Sequence, residues 1–425
     1  MRYRLIGLLK LSHFTSFCGM MLSQASGSVM PLYDQKDRLR SDAFYAAQAG
    51  DIIVILSNGS LLPMTYRVFN FSSGPATMPV EVLEKARSEI TSYRGTGMSV
   101  MELSHRSTNF IEVLEASEAA LRRLLNVPPN YRVLFISGGA SLHFSMIPMN
   151  LLTAGGLAQY VITGAWSEKA LAEARKMGNA EAVFSTEQNG YTGIPRPQQI
   201  AFSEAADYVH YCSNETIHGV EFDYDLYAGS IPVICDASSN VLSKPIDVAK
   251  YGMIYAGAQK NIGPSGLTVV IIRDDLLERV PAGLPTLLDY RVFANERSMP
   301  NTPNTWGIYL IGLITEWLEN QGGVEGIAKI NEGKSRLVYN AIDSSDGFYA
   351  GHAEREARSR MNVTFRLPTQ ELEAEFCTEA EAAGMSGLAG HRSVGGLRAS
   401  IYNAFPIEGV RVLVDFMKDF SDRKG

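Results

Sequence analysis

With 425 residues, 46% of them hydrophobic and 20% charged, the chain is long enough for two domains and a large core. A net charge of -7 with no basic stripe excludes a nucleic-acid footprint, so an anionic ligand has to be held by local arginines and not by the overall field. The four cysteines, Cys18, Cys212, Cys235 and Cys377, form no C-x-x-C pair and no metal-ligand spacing, which argues against a metal and for a reducing, cytoplasmic setting.

Residues 1–65 stand apart. Arg2, Arg4 and Lys10 surround a broken apolar stretch, and the first acidic residue is Asp34. Lys10 and His13 interrupt the stretch too much for a membrane span. Three readings stay open: a secretory signal with a short apolar core, an organelle transit peptide, or translation that starts at Met64. On any of them, 1–65 is expected to be a disordered extension outside the fold.

Regular patterning begins at Tyr66. Phe69–Pro75 reads as an extended entry with a Ser-Ser-Gly-Pro turn. Pro79 then suits a first helical position, and Leu83, Ala86 and Ile90 define one helical face. A loop over 94–104 delivers His105 and Arg106. Asn109 and Glu112 have cap-box spacing ahead of an amphipathic helix carrying Phe110, Val113, Leu114, Leu121 and Leu125. Apolar runs at 131–136, 160–163, 208–211, 231–235, 253–256 and 267–272 read as strands, several separated by helical patterns. This alternation predicts an α/β fold with a mostly parallel, doubly wound sheet. From about Gly322 the pattern turns helical, with strands at 362–366 and 396–401 and a last helix over 410–420. The expected division is a large domain over 66–321 and a smaller α+β domain over 322–425.

Ligands of such sheets collect at the carboxyl ends of the strands. There, Ser137-Gly138-Gly139-Ala140-Ser141 joins a strand to a helix. Its glycines serve the turn geometry, and a helix N-terminus favours an anion. Asp236 ends one apolar run and reads either as a cap or as a carboxylate facing the cleft. Lys260 follows another such run, with no carboxylate beside it in sequence. It is either a lysine that snorkels to water or a desolvated amine of lowered pKa, the group that forms Schiff bases. The two residues together are the basic equipment for pyridoxal phosphate (PLP), a carboxylate for the ring nitrogen and an amine for the aldehyde. Trp166 could stack on a flat ring or serve packing, and Thr216 could donate to a ring substituent. His105-Arg106, His391-Arg392 and Arg398 lie in loop or Gly-rich contexts. Beside such a site they suggest a substrate with more than one anionic group. No G-x-G-x-x-G is present, and Gly333-Lys334-Ser335 lacks the upstream glycine of a P-loop.

FNFSSGPA, MSVMELSHR, YAGAQKNIGPSGLT, NTPNT and GHRSVGGLRASIYNA resemble the phosphoserine aminotransferase family, in consecutive order over about 66–425. The resemblance implies a PLP-dependent aminotransferase of fold type I, with a seven-stranded type of sheet and a homodimer whose sites lie at the subunit interface. It implies transfer of an amino group between phosphoserine and 2-oxoglutarate, giving phosphohydroxypyruvate and glutamate. In this family 4-phosphooxythreonine is often a further substrate, in pyridoxine synthesis. It places Lys260 in the Schiff base, Asp236 at the pyridinium nitrogen, Trp166 on the ring and Thr216 at the phenolic oxygen. Ala140, Ser141 and Gln259 would cradle the cofactor phosphate, with Asn301 and Thr302 from the other subunit. Arg106 matches the substrate-carboxylate arginine, with Ser73 near it, and His105, His391, Arg392 and Arg398 match positions that grip carboxylate and phosphate. Ser141 departs from members that carry arginine there. Rival readings are an alanine–glyoxylate aminotransferase, a cysteine desulfurase and a non-catalytic protein of the same fold. The desulfurase needs a loop cysteine, and Cys377 has a helical context instead.

Overall fold

The structure, a computed structural model, describes residues 67–425 and the backbone of three strands before them. Those strands, Phe44–Gln48, Asp51–Ile55 and Leu61–Thr65, form an antiparallel meander, with Phe44 opposite Ile55 and Asp51 opposite Thr65. This is the stretch expected to be a disordered extension; the remaining residues of 1–65, on which the leader readings rest, lie outside the described residues.

From Phe69 onward the central feature is a seven-stranded sheet. Its strands, in chain order, are β1 (Tyr131–Ser137), β2 (Leu157–Ile162), β3 (Ala180–Ser185), β4 (Ala206–Cys212), β5 (Val233–Asp236), β6 (Met253–Gly257) and β7 (Leu267–Arg273). In space the order is β1-β7-β6-β5-β4-β2-β3, and β7 alone runs opposite to the other six. Every residue of β5 and β6 is buried. Covered on both faces, these strands need apolar residues at every position, so their sequences read as unbroken runs and not as alternation. At the edge of the sheet only Ala180 of β3 is buried, which leaves little apolar signal; of the seven strands of this sheet it is the one missing from the sequence-based reading.

The principal helices are α1 (Val80–Glu89), α2 (Thr108–Leu124), α3 (Ala140–Leu151), α4 (Ala165–Met177), α5 (Thr305–Asn320), α6 (Gly323–Asp343), α7 (Gln370–Ala382) and α8 (Ile407–Lys424). Two local expectations are corrected. Helix α1 buries Val82 and Ala86, while Leu83 and Ile90 stay exposed. Helix α2 is capped by Ser107, whose side chain accepts from the Phe110 amide at 3.4 Å, and not by Asn109. A serine two residues earlier takes an amide of the first turn, so the helix begins sooner and Asn109 falls inside it.

The C-terminal part holds the antiparallel strands β8 (Ala350–Gly351), β9 (Asn362–Arg366) and β10 (Leu397–Ser400). Its core, which includes Val363, Phe376 and Leu413, also takes in Phe71, and Phe69–Asn70 pairs in parallel with Met385–Ser386. The entry segment thus packs with the C-terminal core, although the sequence boundary counts it with the large sheet. Cys377 lies in α7, as its context predicts. Lys334, in α6, is fully buried. Its ammonium donates to the carbonyls of Ile401, Tyr402, Asn403 and Phe405 at 2.6 to 3.4 Å, so the Gly-Lys-Ser triplet is a clamp on the segment after β10. Burial pulls this amine down to about 7. Among the described residues no helix is long and apolar enough to cross a membrane.

Candidate active site

Strands β4, β5 and β6 are parallel, so their carboxyl ends open on the same edge of the sheet. Asp236 is the last residue of β5, level with Cys212 on β4 and Tyr255 on β6. Three residues past the end of β6 comes Lys260. A cavity of about 110 Å³ at this edge is lined by seven of the residues singled out from sequence: Ala140, Ser141, Trp166, Thr216, Asp236, Gln259 and Lys260.

Lys260 does not snorkel to water. Its ammonium donates a 2.6 Å hydrogen bond to Thr216 Oγ1 and stands 5.8 Å from the centroid of the Trp166 ring. Desolvation pulls the amine below a lysine's ordinary range, against the opposing pull of Asp236. Asp236 is itself buried, and its Oδ1 accepts from the Ser238 amide at 2.9 Å. Burial raises its carboxyl, while Ser238 and the charge of Lys260 act the other way. Desolvation pushes both groups toward their neutral forms and the attraction between them offsets only part of it, a pattern typical of catalytic groups.

The opposite wall is the start of α3. Its N-cap is Gly139, which brings no side chain to the first-turn amides. Gly257 lets β6 approach closely: a Cβ there would lie 3.4 Å from the Ala140 nitrogen. Uncapped amides at a helix N-terminus beside Ser141 and Gln259 form a donor set for a phosphate. With a carboxylate at Asp236, an amine at Lys260 and an indole at Trp166, the cavity fits PLP: an anion cradle, a partner for a cationic ring nitrogen, an amine and a flat face.

A second layer joins the site from the C-terminal side. Arg398, on β10, donates to Ser73 Oγ at 2.7 Å and to the Thr216 carbonyl at 3.4 Å, and Tyr402 donates to the Ser73 carbonyl at 2.8 Å. Arg398 is buried, and its Nε has no partner among the described residues. Desolvation lowers its pKa. His391, which bonds Ser393 Oγ at 2.7 Å, feels the charge of Arg398, and Arg392 beside it is exposed. The remaining sequence candidates lie elsewhere on this chain. His105 Nδ1 and Thr302 Oγ1 are 3.3 Å apart, Arg106 and Asn301 are exposed, and none of the four lines the cavity.

One residue escaped the sequence reading. Glu215, next to Thr216, is fully buried and accepts from the Trp166 amide at 3.0 Å, the Ser167 amide at 2.8 Å and the Ser167 hydroxyl at 2.6 Å. It caps α4 from another element. Gly164 makes room, since a Cβ there would come within 2.5 Å of the Glu215 carboxyl carbon. Burial pushes this carboxyl up to about 7, against its hydrogen bonds from Ser167 and Trp166. No local signal marks a cap supplied from fifty residues away.

Comparison with known proteins agrees with this geometry. The family model described as Aminotransferase class-V matches residues 68–413. The phosphoserine aminotransferase of Lysinibacillus sphaericus is 51% identical over 360 residues, covering 85% of this chain and 99% of its own length. Among solved structures, the phosphoserine aminotransferase from Bacillus circulans subsp. alkalophilus superposes with a TM-score of 0.83 at 49% identity, over 84% of this chain and 99% of its own. The PLP-bound phosphoserine aminotransferase from Trichomonas vaginalis superposes with a TM-score of 0.79 at 41% identity, over 83% and 100% of the two chains. The chain belongs to the class-V aminotransferases, within the phosphoserine aminotransferase family.

Proposed function

We infer that the cavity at the carboxyl ends of β4 to β6 is where this chain exchanges an amino group between O-phospho-L-serine and 2-oxoglutarate, with PLP as cofactor. The observation that carries the reading is the convergence of Lys260, Asp236 and Thr216 on one cavity beside an uncapped helix start. When bound, PLP supplies an electron sink for the bond broken at the amino acid's α-carbon. The protein's own groups do the rest. Lys260, its amine desolvated and so available unprotonated, takes the proton from the α-carbon and returns it on the other side of the transfer. Asp236 would hold the ring nitrogen in its protonated form. The amides of Ala140 and Ser141, with Gln259, would take the phosphate, and Trp166 would cover the ring. Thr216 orients Lys260 and would contact the ring oxygen. Arg398, with Ser73, would hold a carboxylate of the substrate, and His391 and Arg392 lie on the same side for its second anionic group.

His105, Arg106, Asn301 and Thr302 form a surface group apart from this cavity, which supports a homodimer in which they complete the site of a second copy. Three unpaired cysteines among the described residues, two of them buried, support a reducing, cytoplasmic setting. A break near residue 322 is the domain division we favour, with the segment before Pro75 joined to the C-terminal part. The deciding experiment compares amino donors on the PLP-loaded enzyme with 2-oxoglutarate as acceptor. Phosphoserine is expected to be used at least about a hundredfold better than serine or alanine, because a site that presents cationic groups for a second anion leaves them unpaired when the donor lacks it; equal use of alanine would favour the alanine–glyoxylate reading.

A further inference from the structure

Lys169 is the fifth residue of α4, three residues after Trp166, and is exposed. Its ammonium sits 4.3 Å from the centroid of the Trp166 ring, the same ring that stands 5.8 Å from the Lys260 ammonium. The acids on its own helix are engaged elsewhere. Glu173 pairs with Lys176 at 2.6 Å, and Glu168 lies beside Tyr191. Among the described residues neither Lys169, nor Arg392, nor Arg398 has an ion-pair partner. An exposed lysine normally swings free in water, but a cation held on an indole face keeps its charge in one place.

Its charge reaches the same histidine as two arginines do. His391 is held below the usual histidine range, first by desolvation and then by the positive charges of Arg398, Lys169 and Arg392. Lys169, held on the Trp166 ring that lines the cavity, and the arginines Arg392 and Arg398 thus act on one histidine with charge of the same sign. Crowded cations repel one another, and an arrangement of this kind is relieved by an anion. The cofactor phosphate has its own cradle at the start of α3, where no lysine is needed.

We propose that Lys169 is a further recognition residue for the distal anionic group of the substrate, the phosphate of phosphoserine or the γ-carboxylate of glutamate. The proposal rests on the aminotransferase reading given above. Trp166 then has two tasks, one face for the ring and a hold on the ammonium that meets the incoming anion. Because Lys169 acts as a point charge, its effect scales with the charge it meets. A phosphate carries about twice the charge of a carboxylate at neutral pH, so the same contact counts about twice as much in free energy, and the fold-change in binding is roughly squared.

The test uses the PLP-loaded enzyme with Lys169→Met, which keeps an apolar stem on the indole, and Lys169→Arg, which keeps the charge. Steady-state constants are measured for phosphoserine and for glutamate at low and at high salt. For Lys169→Met the expected result is a rise in KM of about tenfold for phosphoserine and about threefold for glutamate, with kcat changed less than about twofold. The difference shrinks at high salt, and Lys169→Arg restores most of the loss. The visible spectrum of the bound cofactor stays as in the wild type. Equal KM values for variant and wild type overturn the role, as does an equal rise for both substrates, or weakened retention of PLP in place of a KM effect. If the wild type itself fails with phosphoserine, the functional reading falls and this role falls with it; a working wild type beside an unaffected Met variant overturns the role of Lys169 alone.

Discussion

Arg398 Nη2 donates a 2.7 Å hydrogen bond to Ser73 Oγ across 325 residues of sequence. The same guanidinium reaches the Thr216 carbonyl, and the Thr216 hydroxyl accepts from Lys260 at 2.6 Å. One line of contacts therefore runs from the opening segment, through the last strand, to the ammonium of Lys260. It couples the guanidinium proposed to bind an anion to the amine proposed to move a proton.

Removing Arg398 should act on binding more than on turnover. For Arg398→Met we expect KM for both amino acids to rise by about 10²-fold, with a smaller fall in kcat through the lost contact to Thr216. Arg398→Lys should recover only part, because an ammonium cannot bridge Ser73, the Thr216 carbonyl and a carboxylate with one planar fork. Steady-state kinetics with each substrate varied in turn decide this; unchanged KM values in both variants would remove Arg398 from the site.

Lys260→Ala should reduce transamination by more than about 10³-fold and abolish the visible absorbance of lysine-bound cofactor. Absorbance spectra before and after addition of PLP, together with coupled assay of glutamate, measure both. A variant with near wild-type turnover would sink the assignment.

Asp236→Asn keeps the shape and removes the charge. The loss in kcat should be about 10²-fold or more, with the fold intact by circular dichroism. A rate within about threefold of wild type would count against a charged partner for the ring nitrogen.

Glu215 predicts a pH dependence of stability. Its folded carboxyl is pushed up to about 7 from an ordinary value of 4.5. Below pH 4.5 the group is protonated in both folded and unfolded chains, and its contribution is fully present. As pH rises toward 7 the unfolded chain gives up the proton while the folded one keeps it, so the contribution is lost over that window. Glu215→Gln has no proton to lose. The stability of the wild type relative to this variant should fall by about 3 kcal/mol between pH 4.5 and 7.5, measured by urea unfolding; a constant difference would refute the shift.

Much of the architecture is readable from residues alone, for a local reason. A strand buried on both faces is mostly apolar, so β1, β4, β5, β6 and β7 announce themselves, and the polar residues that end them stand out. Asp236 and Lys260 are such residues. The edge strand β3 does not announce itself, because one covered side asks little of its sequence. Caps that use a neighbour's side chain are equally silent. Asn109 has a suitable spacing, yet Ser107 is the cap, and Glu215 caps a helix to which it does not belong.

The sequence by itself determined the family motifs, the parallel sheet and the identity of the groups that can do chemistry, since residue type and period are enough for those. Only the tertiary structure decided which of them meet. It sent Phe71 into the C-terminal core, set Ser73 against Arg398, kept His105, Arg106, Asn301 and Thr302 away from this chain's own cavity, and laid Lys169 on Trp166. Contacts of that kind depend on where each side chain points after the elements have packed, and spacing along the chain carries no record of it.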